Sequence, residues 1–260
     1  MKKLFVLIAA ACMTCNAAFA QTVKPFKEGE RAVFLGNSIT DGGHYHSYIW
    51  LYYMTRFPDM PIRVFNGGIG GDTAYDMNKR LDGDIFAMKP SVLMVTFGMN
   101  DSGYFEYNGD KPKEFGEQKY QESIKNYQQM EKRFKDLPDT RIVMVGTSPY
   151  DETVQLKENT PFKTKNETIK RLVEYQKESA AKNNWEFTDL NAPMTAINQQ
   201  YQQKDPTFTL CGSDRIHPDN DGHMVMAYLF LKAQGFVGKE VADMEINANK
   251  KQAVKSEMGD

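Results

Sequence analysis

Short apolar runs alternate along this chain with longer stretches in which apolar residues recur every three or four positions. The runs lie at 32–35, 62–65, 92–97, 142–145 and, with a weaker pattern, 185–190. Their length and their β-branched residues predict five buried strands. The longer stretches have the spacing of amphipathic helices, and they lie at 48–57, 120–135, 166–183 and 221–234.

The regular alternation of strand and helix favours one architecture. Parallel strands need crossover connections, and the helices in those connections cover both faces of the sheet. The prediction is therefore an α/β fold with a parallel sheet. No internal repeat or Pro/Gly/Ser linker interrupts the pattern, so we assign a single domain to residues 21–236. Two interpretations stay open for residues 237–260, a small hairpin or a solvated tail, because 241–246 alternates only weakly.

The N-terminal segment has the three regions of a secretory signal peptide. A positively charged start is followed by an apolar stretch from 4 to about 13 and by Ala-Phe-Ala at 18–20. We therefore assign residues 1–20 to a signal peptide and expect a secreted or periplasmic protein that begins at Gln21. Lipoprotein processing at Cys12 or Cys15 is the alternative, although neither cysteine follows a Leu-plus-small-residue box. No other segment is long enough to predict a membrane span.

Composition narrows the class of protein. The 260 residues are 41% hydrophobic and 25% charged, which is ordinary for a globular domain with a sizeable core. A net charge of −2 without a dense basic run before the far C-terminus disfavours nucleic acid as a partner. Cys211 is the only cysteine after residue 20, so no internal disulfide is expected. We interpret it as a small buried residue.

Two short stretches at opposite ends of the chain supply the parts of a serine hydrolase. Ser38 follows the first predicted strand, where open α/β sheets place their chemistry. Asp214 and His217 lie three positions apart in a segment rich in turn residues. A serine hydroxyl becomes a nucleophile when an imidazole accepts its proton, and a carboxylate fixes the tautomer of that imidazole. The three residue types therefore indicate a nucleophile, a base and a base-orienting acid.

Two further stretches offer donors for the negative charge that develops on a carbonyl oxygen. A glycine-rich stretch at 66–73 follows the second predicted strand, and its glycines let backbone N–H groups approach a ligand closely. Gly98-Met99-Asn100-Asp101 follows the third strand and adds the side-chain amide of Asn100. Each such donor stabilises a transition state by about 2.7 to 4 kcal/mol.

These four blocks, in this order, resemble the SGNH hydrolases, also called GDSL lipases or esterases, over nearly the whole predicted domain. The resemblance implies that Ser38 is the nucleophile, His217 the general base and acid, and Asp214 its partner. It also implies an oxyanion hole made of the Ser38 N–H, the Gly71 N–H and the Asn100 side chain. The implied fold is a three-layer α/β/α sandwich, flavodoxin-like, with a five-stranded parallel sheet, and the family needs no metal or organic cofactor. Asn37 departs from the family pattern, which has Asp before the serine.

Several residues near these blocks are candidates for the substrate pocket. His44 and His46 follow the nucleophile block closely, but histidines in a surface loop are the competing interpretation, and no third ligand supports a metal site. Tyr104 belongs to the segment 102–118, which we predict to be a loop bordering the site. Its aromatic residues either stack on sugar rings or pack the loop onto the domain. His223 is interpreted as a capping or packing residue of the last helix.

The sequence thus predicts a secreted serine esterase that forms an acyl-enzyme on Ser38, with carbohydrate acetates as the expected substrates. The predicted partner is a small-molecule or glycan ester, with no nucleic acid and no integral membrane segment. Three alternatives stay open: a lysophospholipase or thioesterase, an acyltransferase in which a sugar hydroxyl replaces water, and a non-catalytic carbohydrate-binding accessory module.

Overall fold

The structure is a computed structural model that describes residues 22–238 and 242–258. The predicted signal peptide at 1–20 lies outside the described residues. Five strands form the main sheet in the order β2-β1-β3-β4-β5, and all of their pairings are parallel. They are β1 (Arg31–Gly36), β2 (Arg63–Gly68), β3 (Val92–Val95), β4 (Arg141–Gly146) and β5 (Glu186–Asp189). The predicted five-stranded parallel sheet is confirmed.

Helices follow or connect these strands. They are α1 (Ser38–Asp41), α2 (His44–Arg56), α3 (Ala74–Arg80), α4 (Pro112–Lys135), α5 (Lys165–Asn183), α6 (Asn191–Gln202) and α7 (Asn220–Ala233). The four predicted helices are confirmed, as α2, α4, α5 and α7. The prediction of a loop over 102–118 is wrong for its second half, because Pro112 sits in the first turn of α4, where its fixed φ suits a helix.

Alternate residues of β1 point into two separate cores. Ala32 and Phe34 join a cluster with residues of α2 and α7 on one face of the sheet. Val33 and Leu35 join a second cluster with residues of α3 and α4 on the other face. A strand buried on both faces reads as a continuous apolar run, and this is why the run at 32–35 is recognisable in the sequence. The molecule is therefore a three-layer sandwich.

The order of the strands determines where a ligand can bind. From β1 the chain first adds β2 on one side and later adds β3 on the other. In open parallel sheets the crevice at the carboxyl ends of two such strands is the usual ligand site. The blocks that contain Ser38, Gly71 and Asn100 follow β1, β2 and β3 in turn, so the fold gathers them at this edge.

The C-terminal segment contains a separate element. The strands β6 (Ala242–Asn247) and β7 (Gln252–Met258) pair antiparallel and form their own two-stranded sheet. Of the two interpretations of residues 237–260, the structure therefore contains the hairpin. Among the described residues, no helix combines the length and the apolar character that a bilayer crossing requires.

Candidate active site

Ser38 lies where β1 turns into the short helix α1. Asn37 caps that helix, because its side-chain Oδ1 accepts the backbone N–H of Ile39 at 3.1 Å. The family's Asp offers the same acceptor, so the departure at Asn37 preserves the turn. As the first residue of the helix, Ser38 has a backbone N–H without an intrahelical acceptor. The hydroxyl and the backbone N–H of Ser38 therefore both belong to the turn between β1 and α1.

Ser38, His217 and Asp214 form a continuous series of hydrogen bonds. The Ser38 Oγ lies 2.7 Å from His217 Nε2, and His217 Nδ1 lies 2.5 Å from Asp214 Oδ2. The other carboxylate oxygen of Asp214 accepts the backbone N–H groups of Ile216 and His217, each at 2.9 Å. The carboxylate is thus fixed by its own loop, and it directs Nε2 of the imidazole toward the serine.

The electrostatics of the pair follow from these contacts. The hydrogen bond and charge of Asp214 raise the pKa of His217 above its ordinary 6.5, against a smaller opposing effect of burial. Partial burial raises the pKa of Asp214, but the hydrogen bonds from His217 and Ile216 outweigh it and leave that pKa below its usual value. Asp214 is therefore ionised near neutral pH, and the protonated form of His217 is stabilised.

The loop that carries this pair, residues 210–218, is called the base loop below. It is anchored by Arg215, a buried residue with a left-handed φ of 70°. The Arg215 guanidinium donates to the carbonyl oxygens of Asp151, Val154 and Asn159 at 3.0, 2.8 and 2.6 Å. Gly212 completes the loop, because a Cβ at this position would lie 2.2 Å from the His217 carbonyl oxygen.

The glycine-rich stretch passes beside the serine at Gly70. A Cβ built on Gly70 would lie 4.0 Å from the Ser38 Cβ, which places this turn beside the nucleophile. Gly71 is exposed and has a φ of 86°. Arg80 holds the turn, since its guanidinium pairs with Asp72 at 2.6 Å and also donates to the carbonyl oxygen of Gly67 at 2.8 Å. One cation thereby joins the end of β2 to the turn that follows it.

Asn100 lies in a loop after β3, residues 98–104, called the amide loop below. Its Nδ2 donates to the Asp72 carbonyl oxygen at 2.9 Å, so the amide adjoins the glycine-rich turn. The Tyr104 hydroxyl donates to the other end of the same amide, Oδ1. Asp101 is buried and accepts the backbone N–H groups of Gly98 at 3.0 Å and of Ala74 at 2.9 Å. Among the described residues, the Asp72 carbonyl oxygen is the one acceptor of the Asn100 amide nitrogen, so its second N–H has no protein partner.

The three candidate pocket residues occupy different environments. Tyr104 is half-buried against Asn100, while His44 is exposed and stacks on His223 with ring centroids 5.0 Å apart. His46 is buried, with Nε2 3.2 Å from the Thr40 carbonyl oxygen. Burial lowers the pKa of His46. The competing interpretation, that His44 and His46 lie in a surface loop, is wrong. Both residues belong to α2, and His46 faces the core.

Two further predictions concern Cys211, in the base loop, and His223, which follows it in α7. Burial lowers the pKa of His223 to about 4, and this residue packs near the start of α7, as its interpretation as a packing residue requires. Cys211 is fully buried, and burial raises the pKa of its thiol to about 12, so a thiolate does not form at neutral pH. Among residues 22–238 and 242–258, no group of three or more His, Cys, Asp or Glu side chains is arranged to hold a metal ion.

Sequence reasoning missed the cations that brace these loops. Lys165 is fully buried and donates to the carbonyl oxygens of Met99 and Gly103 in the amide loop. Arg80 and Arg215 support the glycine-rich turn and the base loop in the same manner. Each stands in a polar stretch that is typical of a solvated surface, so only the position of Arg215 between Asp214 and His217 offers a signal in the sequence.

A parallel α/β sandwich with a serine and a histidine in hydrogen-bond contact at its carboxyl edge has the architecture of a carboxylic ester hydrolase. Residues 34–225 match the model of the GDSL-like Lipase/Acylhydrolase family. The chain belongs to this family, and it is a carboxylic ester hydrolase.

Individual relatives agree with this assignment. The chain is 27% identical over 224 residues to an acetylxylan esterase of Geobacillus stearothermophilus, covering 80% of this chain and 95% of the relative. A solved structure of an acetylxylan esterase from the same organism, a catalytic mutant at 24% identity, has a TM-score of 0.65 over 81% of this chain and 96% of that chain, which shows the common fold.

A third comparison is much closer in sequence. The solved structure of a gut microbial diltiazem-metabolizing enzyme is 85% identical, with a TM-score of 0.87 over 91% of this chain. The present chain spans 54% of the length of that solved chain.

Proposed function

We propose that this protein is a secreted serine esterase that removes acetyl groups from carbohydrates and similar polar alcohols. The observation that carries the proposal is the series of hydrogen bonds from Ser38 Oγ through His217 to Asp214, at 2.7 and 2.5 Å. In this proposal Ser38 is the nucleophile, His217 the general base and acid, and Asp214 the residue that orients the imidazole.

The proposed reaction has two halves. Ser38 Oγ attacks the ester carbonyl carbon as its proton moves to His217 Nε2, and the tetrahedral intermediate collapses when that proton passes to the departing alcohol. Water then enters, gives its proton to His217 and attacks the acyl-enzyme. Collapse of the second intermediate releases the carboxylic acid and returns the proton to Ser38. The ionised Asp214 stabilises the imidazolium at each stage.

The negative charge on the carbonyl oxygen needs donors that are already in place. We assign this role to the backbone N–H groups of Ser38 and Gly71 and to the free N–H of the Asn100 side chain. Two contacts support the assignment: the glycine-rich turn adjoins Ser38, and the Asn100 amide is hydrogen-bonded to the Asp72 carbonyl oxygen of that same turn.

Two cavities differ in polarity, and neither is lined by Ser38 or His217. A cavity of about 330 Å³ borders Asn100 and is lined mainly by polar and charged side chains, including Thr73, Lys119, Lys125 and Asn126. An apolar groove of about 460 Å³ lies between α2 and α7, and none of its lining residues belongs to the proposed triad or oxyanion hole. A long acyl chain would require an apolar groove at the reacting serine.

The named relatives favour acetyl esters. One is called an acetylxylan esterase, and its name supports an acetyl group on a carbohydrate as the substrate. Another is called a diltiazem-metabolizing enzyme, and its name supports testing that drug as well.

The test compares the mature wild-type protein with Ser38→Ala on 4-nitrophenyl acetate, acetylated xylooligosaccharides, diltiazem and a 4-nitrophenyl ester of a long fatty acid. We expect serine-dependent acetate release from the first three and little activity on the long-chain ester. Preference for the long chain would transfer the assignment to a lysophospholipase or lipase. Equal activity of Ser38→Ala would overturn the mechanism.

Export is a separate part of the proposal. We infer that residues 1–20 are a cleaved signal peptide and that residues 21–236 form the hydrolase unit, on the basis of the charged, apolar and Ala-Phe-Ala regions of the N-terminus. N-terminal sequencing of the protein recovered from a bacterial host is expected to begin at Gln21. A lipid-modified Cys12 or Cys15 at the start would instead establish a lipoprotein, and an intact Met1 would contradict export.

A further inference from the structure

Carbonyl and hydroxyl oxygens of the amide loop surround a buried ammonium group close to the proposed oxyanion hole. Lys165, the first residue of α5, is 0% exposed. Its Nζ donates to the Met99 carbonyl oxygen at 2.7 Å, to Ser102 Oγ at 2.6 Å and to the Gly103 carbonyl oxygen at 2.5 Å. An ammonium has three donors, and all of them are used within the amide loop, on both sides of Asn100.

No carboxylate compensates this charge directly. Within the described part of the chain, Lys165 forms no ion pair; Asp101 and Glu152 act on it only through space. The rings of Tyr104 and Tyr150 also face the ammonium, with centroids 3.9 and 5.7 Å from Nζ. Burial lowers the pKa of Lys165 to about 7. Such a cation is costly for stability, and a methionine of similar length would fill the space more cheaply.

The same ammonium is linked to the amide of Asn100 through Tyr104. The Tyr104 ring lies against Nζ, and its hydroxyl donates to Asn100 Oδ1, while Asn100 Nδ2 donates to the Asp72 carbonyl oxygen. These two bonds fix which end of the amide is N–H. If the amide turned over, its oxygen would face the developing negative charge and repel it.

We propose that Lys165 is a positioning residue for ester hydrolysis: it clamps the amide loop and, with Tyr104, holds the Asn100 amide with its free N–H toward the oxyanion. This inference rests on the proposed function of Ser38 and Asn100. Lys165 does not touch the substrate, so its removal should impair the chemical step more than substrate binding.

The experiment is a double-mutant cycle on 4-nitrophenyl acetate with the mature protein, using Lys165→Met, Asn100→Ala and the combined variant. We expect Lys165→Met to lower kcat roughly 10- to 100-fold with KM changed less than about threefold, since one positioned donor accounts for about 100- to 1,000-fold. In the Asn100→Ala background the same change should cost less than about threefold, because no amide is left to position. Equal losses in both backgrounds, or full kcat in Lys165→Met, would overturn the inference.

A second pair of variants keeps the test decisive if Lys165→Met does not fold. Tyr104→Phe removes only the hydroxyl that holds Asn100 Oδ1, and Tyr107→Phe is its matched control. The Tyr107 hydroxyl lies 2.8 Å from the Ser102 carbonyl oxygen in the same loop and does not contact Asn100. We expect kcat to fall about 10-fold in Tyr104→Phe and to change less than about twofold in Tyr107→Phe. A kcat in Tyr104→Phe within twofold of the wild-type value would reject the proposal.

Failure of the proposed function gives a different result. If the wild-type protein released no acetate, or if Ser38→Ala were as active as wild type, the catalytic assignment itself would be wrong. If the wild type showed Ser38-dependent hydrolysis but the cycle showed no coupling between Lys165 and Asn100, only the positioning role would be rejected.

Discussion

The base loop and the amide loop both serve the proposed reaction, but they differ in how far their functional groups are exposed to solvent. In the base loop the side chains of His217 and Asp214 are about half exposed, at 48% and 47%. In the amide loop Asp101 and Ser102 are buried; the Asp101 carboxylate accepts the N–H of Gly98 within the loop, and the buried ammonium of Lys165 donates to the Met99 carbonyl oxygen. The difference teaches that a group that exchanges protons keeps access to water. A hydrogen-bond donor that stabilises developing negative charge is instead held in position before the reaction begins.

Removing the imidazole of His217 is expected to have the largest effect on activity. We predict that His217→Ala lowers kcat on 4-nitrophenyl acetate by roughly 10⁴- to 10⁶-fold, as loss of a triad member does in other serine hydrolases. Because the side chain is half exposed, the melting temperature should change little. Steady-state kinetics and thermal melting check both parts, and a fall of less than 100-fold would show that His217 is not the base.

Changing Asn100 tests the amide loop in the same assay. Asn100→Ala removes one donor and is expected to lower kcat by about 100- to 1,000-fold. Asn100→Asp keeps the size but places a carboxylate beside the developing oxyanion, so its kcat should fall further still. The two variants compared at equal protein concentration give the order; an aspartate variant more active than the alanine variant would contradict the oxyanion role.

A substitution of Arg215 tests whether the base loop, whose His217 and Asp214 side chains are half exposed, depends on a buried arginine for its stability. Arg215→Met leaves the carbonyl oxygens of Asp151, Val154 and Asn159 without this donor. We expect the free energy of unfolding to fall by roughly 3 kcal/mol, because buried acceptors lose their partners. Urea denaturation monitored by circular dichroism measures the loss. Exposed Lys182→Met, in the last turn of α5, is the control and should change stability by less than about 0.5 kcal/mol.

The smallest predicted effect is the pH dependence of the base loop. His217 must be neutral to accept a proton, so kcat/KM should rise about tenfold per pH unit below its raised pKa and level off above it. Stability follows the opposite direction. A raised folded-state pKa stabilises the protonated fold, so this contribution is complete below the ordinary value of 6.5 and is lost as pH rises through the higher pKa of the folded state.

Rate profiles and thermal melts between pH 5 and 9 separate these two effects. Asp214→Asn removes the negative partner, so it should shift the inflection of the rate profile to lower pH while reducing the rate. A profile of kcat/KM that is flat over this range would exclude His217 as the titrating base.

The sheet was readable from the sequence because β1 and β3 are buried on both faces and form uninterrupted apolar runs. The helix α6 was not, because it is rich in Asn and Gln and contains Pro193 near its start, which is typical of a loop. Its core contact rests on few residues, Met194 among them. Tertiary packing, and not local propensity, decides such a segment.

The residues of the candidate site also differ in whether the sequence identifies them. Ser38, His217 and Asp214 stand in short motifs whose residue types follow from the chemistry, so the sequence identifies them as candidates. Lys165 stands in the polar stretch Thr-Lys-Asn at 164–166, where burial depends on a loop more than 60 residues away. A polar side chain that is buried by contacts distant in the sequence has no periodic signature. Lys165 and Arg215, which support the loops of the site, are therefore recognised only in the fold.

The hydrogen bond between Ser38 and His217 joins residues 179 positions apart. A chain grows from its N-terminus, so the proposed nucleophile, the glycine-rich turn and the amide loop are all synthesised well before the proposed base. If His217 is that base, Ser38 stays an ordinary alcohol until residue 217 has been made and the base loop has packed. The proposed activity therefore depends on nearly the whole domain, and a chain truncated before residue 217 should release no acetate.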